Sequence, residues 1–199
     1  MTVADKPHRA APEEAATIAG VLARAFFDDP VFRWSYPDDE RRREVLPPFF
    51  SSFVMAMQGH DEIYATGDAT GAALWSPPDV SPIPEDKAEE FGQRMEEMSG
   101  GDSERILSVA KMIDEHHPEG TYYFLQFMGV EPGSQGRGIG STLLADMLER
   151  CDREGVRAYL DATSPRNKAL YERHGFRADR EYAPEGGPPL WPMWRDPAA

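Results

Sequence analysis

The run Gln135-Gly136-Arg137-Gly138-Ile139-Gly140-Ser141 holds the densest group of chemistry-bearing residues in this chain. It joins the aromatic and apolar stretch TYYFLQFMGV (121–130) to an amphipathic segment that begins at Gly138. A strand-to-helix turn of this kind leaves several backbone N–H groups without partners at the helix start, pointing in roughly one direction. The helix dipole adds partial positive charge there, so the turn can seat a pyrophosphate. Glycine suits it because a Cβ would hinder both the phosphate approach and some of the backbone angles. Arg137 can add a charge-assisted contact to a phosphate oxygen. The spacing Gly136-x-Gly138-x-Gly140 misses the dinucleotide fingerprint, and without a Gly-Lys-Ser/Thr ending it is not a P-loop. Taken alone, the motif also fits a tight connection that holds no ligand.

Two further groups could take part in chemistry. His116 and His117 stand just before residues 121–130, where they can line a pocket, relay protons or simply close a helix. No further ligand cluster accompanies them, so no metal is expected. Phe27, Phe32, Trp34, Tyr36 and Trp75 are candidates for the wall of an aromatic pocket, with core packing as the plainer alternative. Glu131, beside the glycine turn, reads as a solvated charge. The single cysteine, Cys151, falls on an apolar helix stripe and offers neither a disulfide nor a metal spacing, so a reducing cytoplasm is the expected compartment.

The elements that must position these groups are legible from periodicity. Apolar positions recur at helical spacing over Glu13–Phe27, and Asp28-Asp29-Pro30 should end that helix. A second helix is predicted from Glu40 to Gln58, broken in its middle by Pro47 and Pro48. Glu62–Thr66 and Gly71–Trp75 read as a hairpin around Gly67-Asp68. A connector with four prolines spans residues 76–84, and helices follow at Glu85–Ser99 and Ser103–His116, parted by Gly100-Gly101. Thr121–Val130 is predicted as a strand buried on both faces, and Gly138–Glu154 as a helix with an apolar stripe. Val156–Ala162 is another strand, Asn167–His174 a short helix closed by Gly175, and Tyr182 with Leu190–Trp194 a final strand pair.

Residues 1–12 are expected to form a flexible leader without the apolar core of a secretory signal, and residues 13–199 a single domain. No apolar run reaches the ~20 residues of a membrane span. The net charge of −14 repels nucleic-acid phosphates and anionic lipid, which argues against either as a partner, and it attracts protonated amines.

Val130-Glu131-Pro132 followed by Gln135–Gly140 resembles the acetyl-CoA motif of the GNAT N-acetyltransferase superfamily. Asn167-Lys168-Ala169-Leu170-Tyr171-Glu172-Arg173-His174-Gly175-Phe176 resembles its second signature. Within the superfamily the chain is most similar to puromycin N-acetyltransferase-like proteins. That likeness rests on Gly129-Val130, the Gln-Gly-Arg-Gly run, Tyr159-Leu160-Asp161, Ser164-Pro165-Arg166-Asn167, Tyr171-Glu172-Arg173 and Pro188–Trp194. It spans about residues 116–195 and is faint before them.

The resemblance implies an α/β (mixed α+β) GNAT fold, a splayed mixed β-sheet flanked by helices. The strand ending at Val130 would part there from the strand over Val156–Ala162. Acetyl-CoA would be the cosubstrate lying in the split. Met128, Gly129 and Val130 would pair with its pantetheine, Gln135 to Ser141 would meet its pyrophosphate, and Asn167 would face the pantetheine or the bound thioester region. A backbone N–H near Met128 would steady the oxyanion and Tyr171 would protonate the leaving thiolate. Asp161 stands where the puromycin-type proteins carry glutamate and would be the base. It is one methylene shorter, which favours a water relay, and capping the next turn is its alternative role. The implied reaction is direct acetyl transfer to a small-molecule amine without a covalent enzyme intermediate. Acetylation of a protein amine, or acyl-CoA sensing without turnover, are the alternatives.

Overall fold

The computed structural model describes residues 6–60 and 62–198, so residues 1–5 of the expected leader lie outside the described residues. Within the rest of that leader, His8–Arg9 forms a short strand (β1) paired antiparallel with Ile63–Ala65 (β2). This corrects the expectation of a loose leader for these two residues. The three-residue β2 leaves an open edge, and β1 covers it.

Helix α1 (Ala15–Ala25) buries Ile18, Ala19, Leu22 and Ala23, and it ends before Asp28-Asp29-Pro30 as its pattern requires. Pro30 does more than stop a helix: it opens a new one, α2 (Pro30–Ser35), which the sequence reading did not include. Asp29 caps it, its Oδ1 accepting from Val31 N at 2.9 Å, with proline in the first turn where no N–H is needed. Helix α3 (Asp39–Met57) runs through Pro47-Pro48, where a break was expected. Each interior proline costs roughly 3 kcal/mol. Burial of Val45, Leu46, Phe49 and Phe50 against α1 and the sheet outweighs that, at roughly 1.5–3 kcal/mol per side chain.

β2 and β3 (Gly71–Ser76) form the expected hairpin, in the register Ile63↔Leu74 and Ala65↔Ala72. Helices α4 (Ala88–Ser99) and α5 (Glu104–His116) follow, and the left-handed Gly100 (φ 53°) ends the first. Then come β4 (Tyr122–Val130), α6 (Ile139–Glu154), β5 (Arg157–Ala162), α7 (Pro165–Arg173), β6 (Arg177–Ala178) and β7 (Trp191–Arg195). α7 starts two residues earlier than the sequence suggested, because Ser164 accepts from Asn167 N at 3.2 Å and Pro165 fits the first turn.

Among the described residues the seven strands form one mixed sheet in the order β1-β2-β3-β4-β5-β7-β6, in which only β4 and β5 are parallel. α1 and α3 pack on one face around Leu74 and Phe127. α6 and α7 pack on the other around Trp75, Leu125 and Leu160. α4 lies on α3 and α5 on α2, so this helix pair forms a roof beside the sheet. Among the described residues no helix is long and apolar enough to cross a membrane.

Candidate active site

β4 and β5 pair only at Tyr122–Phe124 with Arg157–Tyr159. From Leu125 to Val130 the edge of β4 that faces β5 has no strand partner, which is the splay that the resemblance implies. A bulge widens the irregularity: Leu74 faces Phe127 and Trp75 faces Leu125, so Gln126 is the extra residue.

At the end of β4 the glycine turn divides into residues that shape the loop and residues that pack. Gly136 and Gly138 adopt φ 77° and 87°, and a Cβ at either would meet nothing within 4 Å. Backbone conformation and open space, not neighbours, therefore ask for glycine here. The first bond of α6 runs from Thr142 N to Gly138 O at 3.0 Å, so the N–H groups of Ile139, Gly140 and Ser141 precede the helix ladder. With the exposed Arg137 alongside, this cradle fits a pyrophosphate. Gln135 Nε2 ties the turn to Val130 O at 3.1 Å. Ser141 Oγ bonds His174 Nε2 at 2.9 Å, and Ile139 is buried as an anchor. Gly140 allows close packing, since a Cβ there would sit 3.3 Å from Leu170. Gly129 is also a packing glycine: its Cβ would lie 2.8 Å from that of Ala25. Glu131 is not a free solvated charge, for Arg24 Nε donates to it at 2.8 Å.

A cavity of about 1070 Å³ opens at the splay and runs under the α4–α5 roof. It gathers Met128 of β4, Asp161 of β5 and Asn167 and Tyr171 of α7, with Phe32, Tyr36 and His117 among the acceptor-side candidates. The other four candidates lie elsewhere. Phe27 is covered by the guanidinium groups of Arg42 and Arg43, at 4.4 and 5.2 Å. Trp34 packs beneath Arg105. Trp75 points to the α6 side and is fully buried, because alternation along β3 sends Leu74 and Trp75 to opposite faces. His116 stacks on Tyr182 at 4.4 Å and bonds Met112 O.

Several lining residues carry chemistry that the sequence reading passed over. Asp29 was read as a helix stop, yet it is buried in the cavity wall, bonded to Thr163 and Val31 N. Its role as an Asp-Pro helix cap was the available signal. Asp161 Oδ1 accepts from Tyr159 at 3.0 Å and from Tyr182 at 2.6 Å, while Oδ2 is buried without a partner. Tyr159 shares its strand face with Asp161 by the two-residue period of β5, and could have been paired with it on that ground. Tyr122 places its hydroxyl 2.5 Å from His117 Nδ1.

Burial sets the proton affinities. It pushes Asp161 up to about 6 against the pull of its tyrosine bonds and of His116. Asp29 is likewise pushed up to about 6, opposed by Thr163 and the backbone of α2. Burial first, then the charge of Asp29, raises the Tyr171 phenol, so it keeps its proton across the physiological range. His117 is shifted down by burial and favours its neutral form. Among the described residues, the charged side chains lining the cavity are all carboxylates: Asp29 and Asp161 inside, Asp79, Glu96 and Asp114 exposed at its rim.

The model of the Acetyltransferase (GNAT) family matches residues 29–176, from the cap of α2 to the end of the second signature. The chain belongs to the GNAT acetyltransferase family. It has the GNAT fold and is an N-acetyltransferase of a family that generally uses acetyl-CoA. Across 174 residues it is 26% identical to an uncharacterized N-acetyltransferase of Schizosaccharomyces pombe, covering 79% of this chain and 68% of that one. A 64-residue stretch is 38% identical to the mycothiol acetyltransferase of Beutenbergia cavernae, covering 31% of this chain and 22% of the relative. Among solved structures, "histone acetyltransferase HPA2 and related acetyltransferase" of Corynebacterium glutamicum superposes with a TM-score of 0.74. It is 25% identical and covers 99% of this chain and 98% of that one. Arylalkylamine N-acetyltransferase 2 of Aedes aegypti shares the fold at a TM-score of 0.61 and 14% identity, over 96% of this GNAT chain and 98% of its own.

Proposed function

We propose that this GNAT enzyme transfers the acetyl group of acetyl-CoA directly to the amine of a small molecule. The observation that carries the reading is one cavity that joins the unpaired edge of β4 to Tyr171 and Asp161 and whose charged walls are all carboxylate. Gln135 to Ser141 would hold the pyrophosphate, and the free edge at Met128, Gly129 and Val130 the pantetheine, with Asn167 facing the thioester end. Bound acetyl-CoA supplies an acyl thioester that an amine can attack. Carboxylate walls concentrate and orient a protonated amine. Asp161 Oδ2, lacking any internal partner, accepts a hydrogen bond from that ammonium and takes its proton, directly or through water. A backbone N–H at Met128 donates to the acyl oxygen as charge builds on it. Tyr171, still protonated, delivers its proton to the thiolate sulfur.

A puromycin-type acceptor follows from the sequence likeness and belongs in the panel of amines to be tried. The name of the Corynebacterium neighbour favours a protein amine as the second reading, against which the α4–α5 roof favours a small molecule. The free, buried Cys151 and the acidic surface suit a reducing cytoplasm as the place of the reaction. The test is mass spectrometry of amines incubated with enzyme and acetyl-CoA. An N-acetylated product that requires all three components is expected. Acetyl-CoA binding with no acetylated amine across the panel would replace the enzyme reading by a sensor.

A further inference from the structure

The cavity of about 1070 Å³ is lined mainly by apolar side chains. Its far wall is built from the facing sides of three helices: Phe49 and Phe53 of α3, Phe91 and Met95 of α4, Ile106 and Ile113 of α5. On α4 the spacing is i and i+4, and on α5 i and i+7, so each helix turns its apolar stripe inward. Val80 and Leu107 stand at the mouth 36% and 54% exposed, two of the large hydrophobic side chains that the fold leaves in solvent. Leaving such residues wet beside a cavity carries a cost that a bound apolar body removes.

Charge is arranged differently from apolarity. Asp29 and Asp161 lie inside, near the splay, and the other lining carboxylates lie at the rim, with the apolar wall between them. A molecule filling this space meets a carboxylate at one end and hydrocarbon along its length. We propose that the acceptor is an amphipathic monoamine. Its ammonium is held at the inner carboxylates, and its aromatic or extended alkyl body lies against the α3–α4–α5 wall. This rests on the function proposed above and names its substrate class.

The test is thiol release from acetyl-CoA with n-alkylamines from ethylamine to octylamine, alongside phenethylamine, putrescine and spermidine. Each methylene taken into the cavity should raise kcat/KM roughly fourfold until the wall is filled. Phenethylamine should exceed putrescine and spermidine by at least about tenfold. Leu107→Ser, at an exposed position that the fold tolerates, should flatten the chain-length dependence. A series indifferent to chain length, or a preference for the polyamines, overturns the substrate class and leaves acetyl transfer standing. A rate that grows with the acyl chain of the CoA thioester while ignoring the amine assigns the wall to the donor and overturns it too. Silence toward every amine overturns the parent function and this inference together.

Discussion

On the donor side, β4, the Gln135–Ser141 turn and the start of α6 offer backbone; on the acceptor side, α2, α3, α4 and α5 offer side chains. Backbone recognition needs a strand that parts from its neighbour, a glycine where φ is positive, and a helix that starts at that point. Those requirements leave a mark on a short, continuous stretch of sequence. Side-chain recognition needs only that apolar and acidic residues converge from distant segments. The two regions meet at Asp161, Asn167 and Tyr171, where the end of β5 and the face of α7 close the cavity.

The comparison breaks most visibly at Gly138. Gly138→Glu puts a side chain at φ 87° and a negative charge among the N–H groups proposed to hold phosphate. Acetyl-CoA binding by calorimetry should fall beyond the measurable range. Wild-type affinity in that variant would show that the turn is only a connection. Next in size is Tyr171→Phe, which keeps the ring and removes the proposed acid. It should lower kcat by about a hundredfold while the Kd for acetyl-CoA stays within about twofold; an unchanged kcat would remove Tyr171 from the chemistry.

Asp161→Asn has the smaller kinetic effect, about tenfold in kcat/KM, because neutral His117 lines the same cavity and can take up part of the role. For the wild type, kcat/KM should rise with pH through about 6, as Asp161 loses its proton, and then level off. Stability should move the other way. Burial raises Asp161 from 3.8 to about 6, so the folded chain binds this proton more tightly than the unfolded one. The stability tied to the protonated form is therefore present at low pH and lost between those values. Asparagine is neutral throughout, so at pH 7 the variant should gain about 3 kcal/mol, a rise of roughly 6–12 °C in Tm. A lowered Tm would mean that Asp161 is a turn cap, its alternative role.

The same contrast explains what could be read from the sequence. The glycine turn, β4, α6, β5 and α7 announce themselves through alternation, a 3.6-residue stripe and capping residues, all local signals. Pro47-Pro48 misled because buried phenylalanines overrode a local rule about proline, whereas at Pro30 the expected stop held and the cap at Asp29 opened a further short helix. The aromatic wall was named from composition, and only Phe32 and Tyr36 of its five residues reach the cavity. Trp75 was lost to the opposite face of β3, and Phe27 and Trp34 to arginines distant in sequence or on another turn. The proposed wall, on α4 and α5, looks in sequence like two ordinary amphipathic helices, since nothing in a stripe says whether protein or ligand will cover it.

The central claim is that donor and acceptor regions form one continuous site, and a bisubstrate conjugate tests it directly. Hexylamine joined through an acetyl bridge to the sulfur of CoA spans both regions at once. Calorimetry should find it binding at least about a hundredfold tighter than CoA itself. Equal affinities would contradict the account, placing the cavity under α4 and α5 outside the path of the transferred acetyl group.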